Sequence, residues 1–138
     1  MEAMELKNSL EQTYRGKKVF ITGHTGFKGS WMVRVLQLLG AQVKGYALAP
    51  VYHNGLFDLL DYPSTMHSVI GDISDKKYLI QEITSFQPDF IFHLAAQPLV
   101  RESYNTPAET FHVNAIGTAH VLDAVRLLEK KCTLVCIT

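Results

Sequence analysis

The chain has 138 residues, a hydrophobic content of 47%, and 13 basic and 13 acidic side chains that cancel to a formal net charge of zero. That length holds one domain or part of one, with enough apolar material for a buried sheet and too much for a disordered segment. The balanced charge leaves no electrostatic footprint for nucleic acid or an anionic membrane, and no stretch reaches the length of a membrane span.

Residues 1–12 are polar and acidic with no apolar core segment, so no signal peptide is expected and the chain reads as cytoplasmic. Residues 1–15 form an extension ahead of the first strand. Strands are expected at 18–22, 42–47, 67–70, 89–94 and 133–138, where short apolar runs alternate with helix-like stretches. The first helix runs from about Phe27 to Leu39, and Gly40 stops it. Residues 48–66 lack clean periodicity, with 56–60 the candidate for a short helix. The next helix begins after Ser74, carries Leu79, Ile80 and Ile83 on one face and ends before Pro88.

The best-marked helix starts at Thr106. Thr106 can cap it, Pro107 fits the first helical position, Glu109 completes a capping box, and the pattern continues to about Lys131. Its apolar residues fall in two stripes, Phe111–Ala115–Leu122 and Val113–Ile116–Ala124. That breadth predicts burial on two sides, against the sheet and against a partner subunit. Cys132 and Cys136 lie too close along one strand for a disulfide and read as reduced, buried thiols. Strands alternating with helices predict an α/β fold: a Rossmann-type doubly wound parallel sheet in the order 3-2-1-4-5.

The most specific chemistry lies between the first strand and the first helix. Gly23, Gly26 and Gly29 fall in one strand-to-helix turn, Thr-Gly-His-Thr-Gly-Phe-Lys-Gly. A dinucleotide pyrophosphate needs a backbone it can approach without meeting a Cβ, and a helix whose free N–H groups and positive dipole end face it. Gly23 would permit the tight turn, Gly26 the close approach and Gly29 the packing of helix on strand.

Three further positions sit where such a sheet binds ligands, at the carboxyl ends of its strands. Asp72 follows the third strand; its carboxylate can accept from an adenine amino group with Ile73 covering the ring, or it is a turn aspartate ahead of a helix. After the fourth strand, small Ala95 and Ala96 let a ribose or flat ring approach, or simply pack a loop exit. His93 reads as a hydrogen-bonded, partly buried histidine rather than an acid–base group. Asn114 is a polar residue inside the long helix; it either holds backbone or water at the active-site end or faces solvent. Gly117 in the same helix costs roughly 1 kcal/mol relative to alanine, which points to close packing there.

Together these segments resemble the extended short-chain dehydrogenase/reductase family and, more narrowly, the N-terminal half of the CDP-glucose 4,6-dehydratases. The narrower resemblance rests on Gly23-His24-Thr25-Gly26-Phe27-Lys28-Gly29-Ser30-Trp31, on Gly45-Tyr46-Ala47-Leu48-Ala49-Pro50 and on His93-Leu94-Ala95-Ala96-Gln97-Pro98-Leu99-Val100-Arg101. It runs from about Gly16 to the C-terminus, and residues 16–138 are accordingly expected to be an NAD-binding Rossmann domain. The resemblance implies cofactor contacts from Gly23, Thr25, Gly26, Phe27, Lys28 and Gly29. On the base and nicotinamide sides it implies Asp72, Ile73, Leu94, Ala95, Ala96, Gln97 and Asn114. It implies no metal.

The resemblance also implies a lyase acting on a nucleotide-sugar, homodimeric as the full-length protein. Tightly bound NAD oxidises C4 of the hexose, water leaves across C5 and C6, and the hydride returns to C6, giving CDP-4-keto-6-deoxyglucose. Such a reaction needs acid–base groups. The family's Tyr-x-x-x-Lys pair lies past the fifth strand, and Thr138 falls at the start of the family's Thr-Ser-Asp-Lys segment. Tyr14 and Lys18 have the right spacing but lie on the wrong side of the cofactor. The catalytic and sugar-binding part is therefore expected downstream of Thr138, and no turnover is expected from residues 1–138 alone. The second strand ends in Tyr46-Ala47-Leu48-Ala49, with neither the acid common in NAD binders nor an arginine, so NAD over NADP rests on the resemblance. Two other readings stand beside this one: an epimerase or dehydratase for UDP-, GDP- or dTDP-sugars, and a non-catalytic dinucleotide-binding module.

Overall fold

The protein is described by a computed structural model for residues 1–137. Strands β1 (Lys18–Thr22), β2 (Gln42–Ala47), β3 (His67–Ile70), β4 (Phe90–His93) and β5 (Thr133–Cys136) are all parallel and lie in the order β3-β2-β1-β4-β5. This is the expected order. Thr22 stands opposite both Tyr46 of β2 and His93 of β4, so the carboxyl ends of the three central strands are level. The chain leaves β1 toward one side of the sheet and returns on the other at β4, which opens a crevice between these strand ends.

Alternation along β1 divides the core. Phe20, Tyr46, Val69 and Ile91 face Leu79 and Ile83 of α5 (Lys76–Phe86) and Val121 and Ala124 of α8 (Gly117–Arg126). Val19, Ile21, Val43 and Phe92 face the other way, onto Val33 and Leu36 of α2 (Phe27–Leu38), with Phe57 and Tyr62 beyond them. Strands buried on both faces need near-continuous apolar sequence, and residues 19–21 supply it. Gly40 ends α2 with φ +82, donating its N–H to Gln37 O at 3.0 Å.

Several expectations need correction. The N-terminal extension is helical, α1 (Glu2–Tyr14), yet buries none of its own residues. Tyr14 at its end sets its ring 5.0 Å from Phe90 and 6.2 Å from Phe92. Within residues 48–66 the expected short helix is present as α3 (Leu56–Leu59), and α4 (Tyr62–Thr65) follows it. Asp75 accepts from Tyr78 N at 3.1 Å and caps α5.

The long helix expected from Thr106 is divided into α7 (Pro107–Phe111), a π-helical turn (His112–Ile116) and α8, and it ends at Arg126 rather than near Lys131; a separate short helix, α6 (Val100–Asn105), precedes it. Pro107 forces the residue before it out of the helical region, and Thr106 has φ −130 and ψ 63. Its hydroxyl donates to Glu102 O at 3.2 Å instead of capping α7. Lys130 lies outside the helix and pairs with Asp89 at 2.7 Å. Gly117, Val121 and Ala124 bury against the sheet, whereas Phe111 and Leu122 of the first stripe and Ile116 of the second are exposed. Strand β4 is shorter than expected at both ends, and β5 stops at Cys136, with Thr138 outside the described residues. Cys136 is exposed rather than buried, because β5 lies at the sheet's edge.

Candidate functional site

The turn after β1 assigns its three glycines different work. Gly23 has φ +78, and a Cβ there would lie 2.9 Å from Ala95 N. Gly29 sits on the inner face of α2, where a Cβ would collide with Gly23 O and stand 2.7 Å from His24 Cα. Both are required by the fold. Gly26 is not. Its φ of −77 and ψ of 168 suit any residue, and a Cβ there would meet only Gly23 O, at 3.4 Å.

Gly26 is also the N-cap of α2, and it has no side chain with which to cap the first-turn N–H groups. Gly26, Phe27 and Lys28 are exposed there. Thr25 ties the turn to the exit of β2 by donating to Leu48 O at 2.9 Å. The start of α2 is thus exposed, without a side-chain cap, and opens at a glycine that has no steric reason of its own, where the first-turn N–H groups and the positive end of the helix dipole suit an anion.

Between these glycines lies a residue that the sequence reading did not single out as a site residue. His24 is fully buried, its Nε2 2.7 Å from Ser68 Oγ and its ring edge-on to Phe57 at 5.3 Å. Among the described residues its Nδ1 has no hydrogen-bond partner. Burial pushes its pKa down to about 4, so the ring is neutral at pH 7. The ring occupies the space that a side chain on Gly45 would need. A glycine inside β2 was the available signal, since such a residue marks close approach by another group.

On the β3 side, Asp72 is exposed, its Oδ1 accepting from Ser74 N at 2.7 Å, as the turn-aspartate reading has it. The segment is held from below: Tyr46 donates to Asp72 O at 2.8 Å and His120 Nδ1 lies 2.9 Å from Ile73 O. Ile73 is only 6% exposed, packed against the position of a Cβ on Gly117. Its side chain packs in the core, and the close packing expected at Gly117 is the contact that holds it there.

On the β4 side, Leu94 N and Ala95 N each reach Thr22 Oγ1 at 3.1 Å. Ala96 is exposed, and Gln97 turns its side chain to Leu99 and Thr110. Asn114, on the π-helical turn, accepts from Gln97 N at 2.7 Å and donates to Gln97 O at 3.1 Å. His93 is buried between Thr22 and Thr118, and burial lowers its pKa. The glycine turn, Asp72 and residues 94–97 thus all lie at the carboxyl ends of β1, β3 and β4, with Asn114 bonded to the last of them. Among the described residues no group of three or more His, Cys, Asp or Glu is placed to hold a metal ion, and no helix is long and apolar enough to cross a membrane.

The family described as GDP-mannose 4,6 dehydratase matches residues 20–138. CDP-glucose 4,6-dehydratase of Salmonella typhimurium is 50% identical over 113 residues, covering 82% of this chain and 32% of that protein. GDP-mannose 4,6 dehydratase 2 of Caenorhabditis elegans is 35% identical, over 86% of this chain and 34% of its own. Among solved structures, the UDP-glucose 4-epimerase of Thermus thermophilus in complex with NAD superposes with a TM-score of 0.70 at 28% identity, over 79% of this chain and 33% of that one. The chain spans about a third of the length of these relatives.

Proposed function

The chain belongs to the GDP-mannose 4,6 dehydratase family, and from that premise we propose that it is the NAD-binding part of a nucleotide-sugar 4,6-dehydratase whose substrate is CDP-glucose. The observation that carries the cofactor reading is Gly26, a glycine that neither its backbone angles nor a clash requires, at the start of α2, which no side chain caps. Space kept open there is explained by a ligand that comes within a Cβ's reach of the backbone. The NAD complex of the Thermus epimerase supports the choice of cofactor. Half-identity to the Salmonella CDP-glucose enzyme supports the choice of substrate.

In this reading the N–H groups at Phe27, Lys28 and Gly29 hold the pyrophosphate, with Thr25 fixing the turn against β2. Asp72 keeps a carboxylate at the adenine edge, and Ile73 contributes backbone rather than side chain there. Leu94, Ala95, Ala96 and Gln97 form the wall beside the nicotinamide ribose, and Asn114 fixes the Gln97 end of it. The cofactor, when bound, supplies a hydride acceptor and donor. Residues 16–138 form the Rossmann domain, residues 1–15 precede it, and the acid–base groups lie in sequence beyond Thr138. The full-length protein is a cytoplasmic homodimer, for which the exposed residues Phe111 and Leu122 are candidate contacts.

The test is an assay for the 4-keto product with residues 1–138 and with a longer polypeptide carrying the downstream Tyr-x-x-x-Lys, at equal concentration. The longer form is expected to dehydrate CDP-glucose and the shorter to show no turnover. Turnover of GDP-mannose but not CDP-glucose would overturn the substrate. Turnover by the short form would overturn the location of the acid–base groups and return attention to Tyr14 and Lys18.

A further inference from the structure

His93, at the last position of β4, is buried, with 3% of its surface exposed. Its two ring nitrogens make contacts whose proton directions can be worked out. Nε2 lies 2.9 Å from Thr118 Oγ1, and Nδ1 lies 2.7 Å from Thr22 Oγ1. The Thr118 hydroxyl has one proton and gives it to Asn114 O at 2.7 Å, since a carbonyl can only accept. Thr118 Oγ1 must therefore accept from His93, which puts the ring proton on Nε2. In the neutral ring, which burial favours, Nδ1 is then a bare lone pair, and Thr22 donates its hydroxyl proton to it.

That direction leaves the lone pairs of Thr22 Oγ1 free to accept the N–H groups of Leu94 and Ala95, both at 3.1 Å. At the far end Asn114, whose carbonyl Thr118 holds, grips Gln97 through both its amide atoms, at 2.7 and 3.1 Å. One proton-ordered chain therefore fixes both ends of residues 94–97 and crosses from β1 to the π-helical turn. π-helical turns recur at functional sites because they reposition a side chain relative to a regular helix; here that side chain is Asn114.

We propose that His93 is a positioning residue: through Thr22 and Thr118 it sets the placement of the 94–97 backbone and of Asn114, the wall that the cofactor reading assigns to the nicotinamide ribose. The proposal rests on that reading for its functional meaning and on the hydrogen bonds alone for its mechanism. A His93→Phe substitution keeps a planar ring and removes both nitrogens. A His93→Gln substitution puts a donor near Nε2 and restores the Thr118 contact.

The experiment uses 15N-labelled protein. Long-range proton–nitrogen correlation should show His93 as the Nε2–H tautomer; an Nδ1–H tautomer overturns the proposal, and this needs no variant to fold. Amide exchange at Gln97 should accelerate about tenfold in His93→Phe, the scale of one lost hydrogen bond, and return toward the wild-type rate in His93→Gln. Exchange at Phe20, in the sheet core, should stay unchanged. Equal acceleration at Phe20 and Gln97, or none at Gln97, would make His93 merely structural and overturn the proposal. NAD titration of the same three proteins should follow the Gln97 rates, weakest in His93→Phe; affinity that ignores them overturns the link to the wall. Wild-type protein that binds no NAD would sink the cofactor reading while the tautomer and exchange results still judge the hydrogen-bond chain.

Discussion

Strand β1 with the glycine turn after it, and the outer strand β5, both belong to the same parallel sheet, yet they are built in opposite ways. Along β1 and into the turn, Val19, Phe20, Ile21, Thr22 and His24 are fully buried, and Gly23 and Gly29 leave no room for a Cβ. On β5, Val135 is 38% exposed and Ile137, just past it, 46% exposed. Gly26 stands between the two conditions, in a packed turn but facing open space. Burial therefore does not pick out the position on which the proposed cofactor site rests. The proposal rests instead on a residue whose identity the packing does not explain.

A pair of substitutions puts this contrast at risk. Gly29→Ala places a methyl against Gly23 O and His24 Cα, both backbone and unable to move aside, and should cost more than about 4 kcal/mol. Ile137→Thr, at the edge, should change stability by less than about 1 kcal/mol and reduce self-association. Urea unfolding and light scattering check both. Similar costs at the two sites would erase the distinction.

A smaller effect follows from His24. Its pKa in the folded protein is about 4, against an ordinary 6.5, because the ring is desolvated. Above pH 6.5 both the folded and the unfolded ring are neutral and the group adds no pH dependence. As pH falls from 6.5 to 4 the unfolded chain takes up a proton that the folded one refuses, and stability declines by roughly 3 kcal/mol. Below pH 4 this contribution levels off. His93, lowered in the same direction by burial, adds to the decline. In His24→Asn the loss between pH 7 and pH 4 should shrink by about that amount, read from denaturant midpoints at each pH. An identical acid loss in wild type and variant would show that His24 is already charged or already solvated in the folded state.

Sheet order and the limits of α2 were legible because their signals are local: apolar runs, a glycine turn and a stop glycine lie within a few residues of what they control. The helical state of residues 2–14 is legible only in composition. Glu, Ala, Met, Leu and Lys favour helix, but no residue of the segment is fully buried, so no apolar stripe announces it. The break at Thr106 shows two local rules in competition, with Pro107 overriding the capping box. The burial of His24 under Gly45 and the Thr22–His93–Thr118 chain join residues far apart in sequence, and only the strand register brings them together. In the candidate site, the glycine roles could be argued from spacing. The inward turn of Ile73 could not, because it depends on Gly117 arriving from α8.

If Gly26 is kept small for a dinucleotide and not for the fold, binding and stability must respond to its substitution separately. NAD titration of wild-type protein and Gly26→Val, with unfolding followed on the same samples, reads both quantities at once. Saturable binding is expected from the wild type. In the variant, affinity should be weaker by at least about a hundredfold, with stability within about 1 kcal/mol of the wild type. A variant that folds and binds NAD as the wild type does would contradict this role for Gly26.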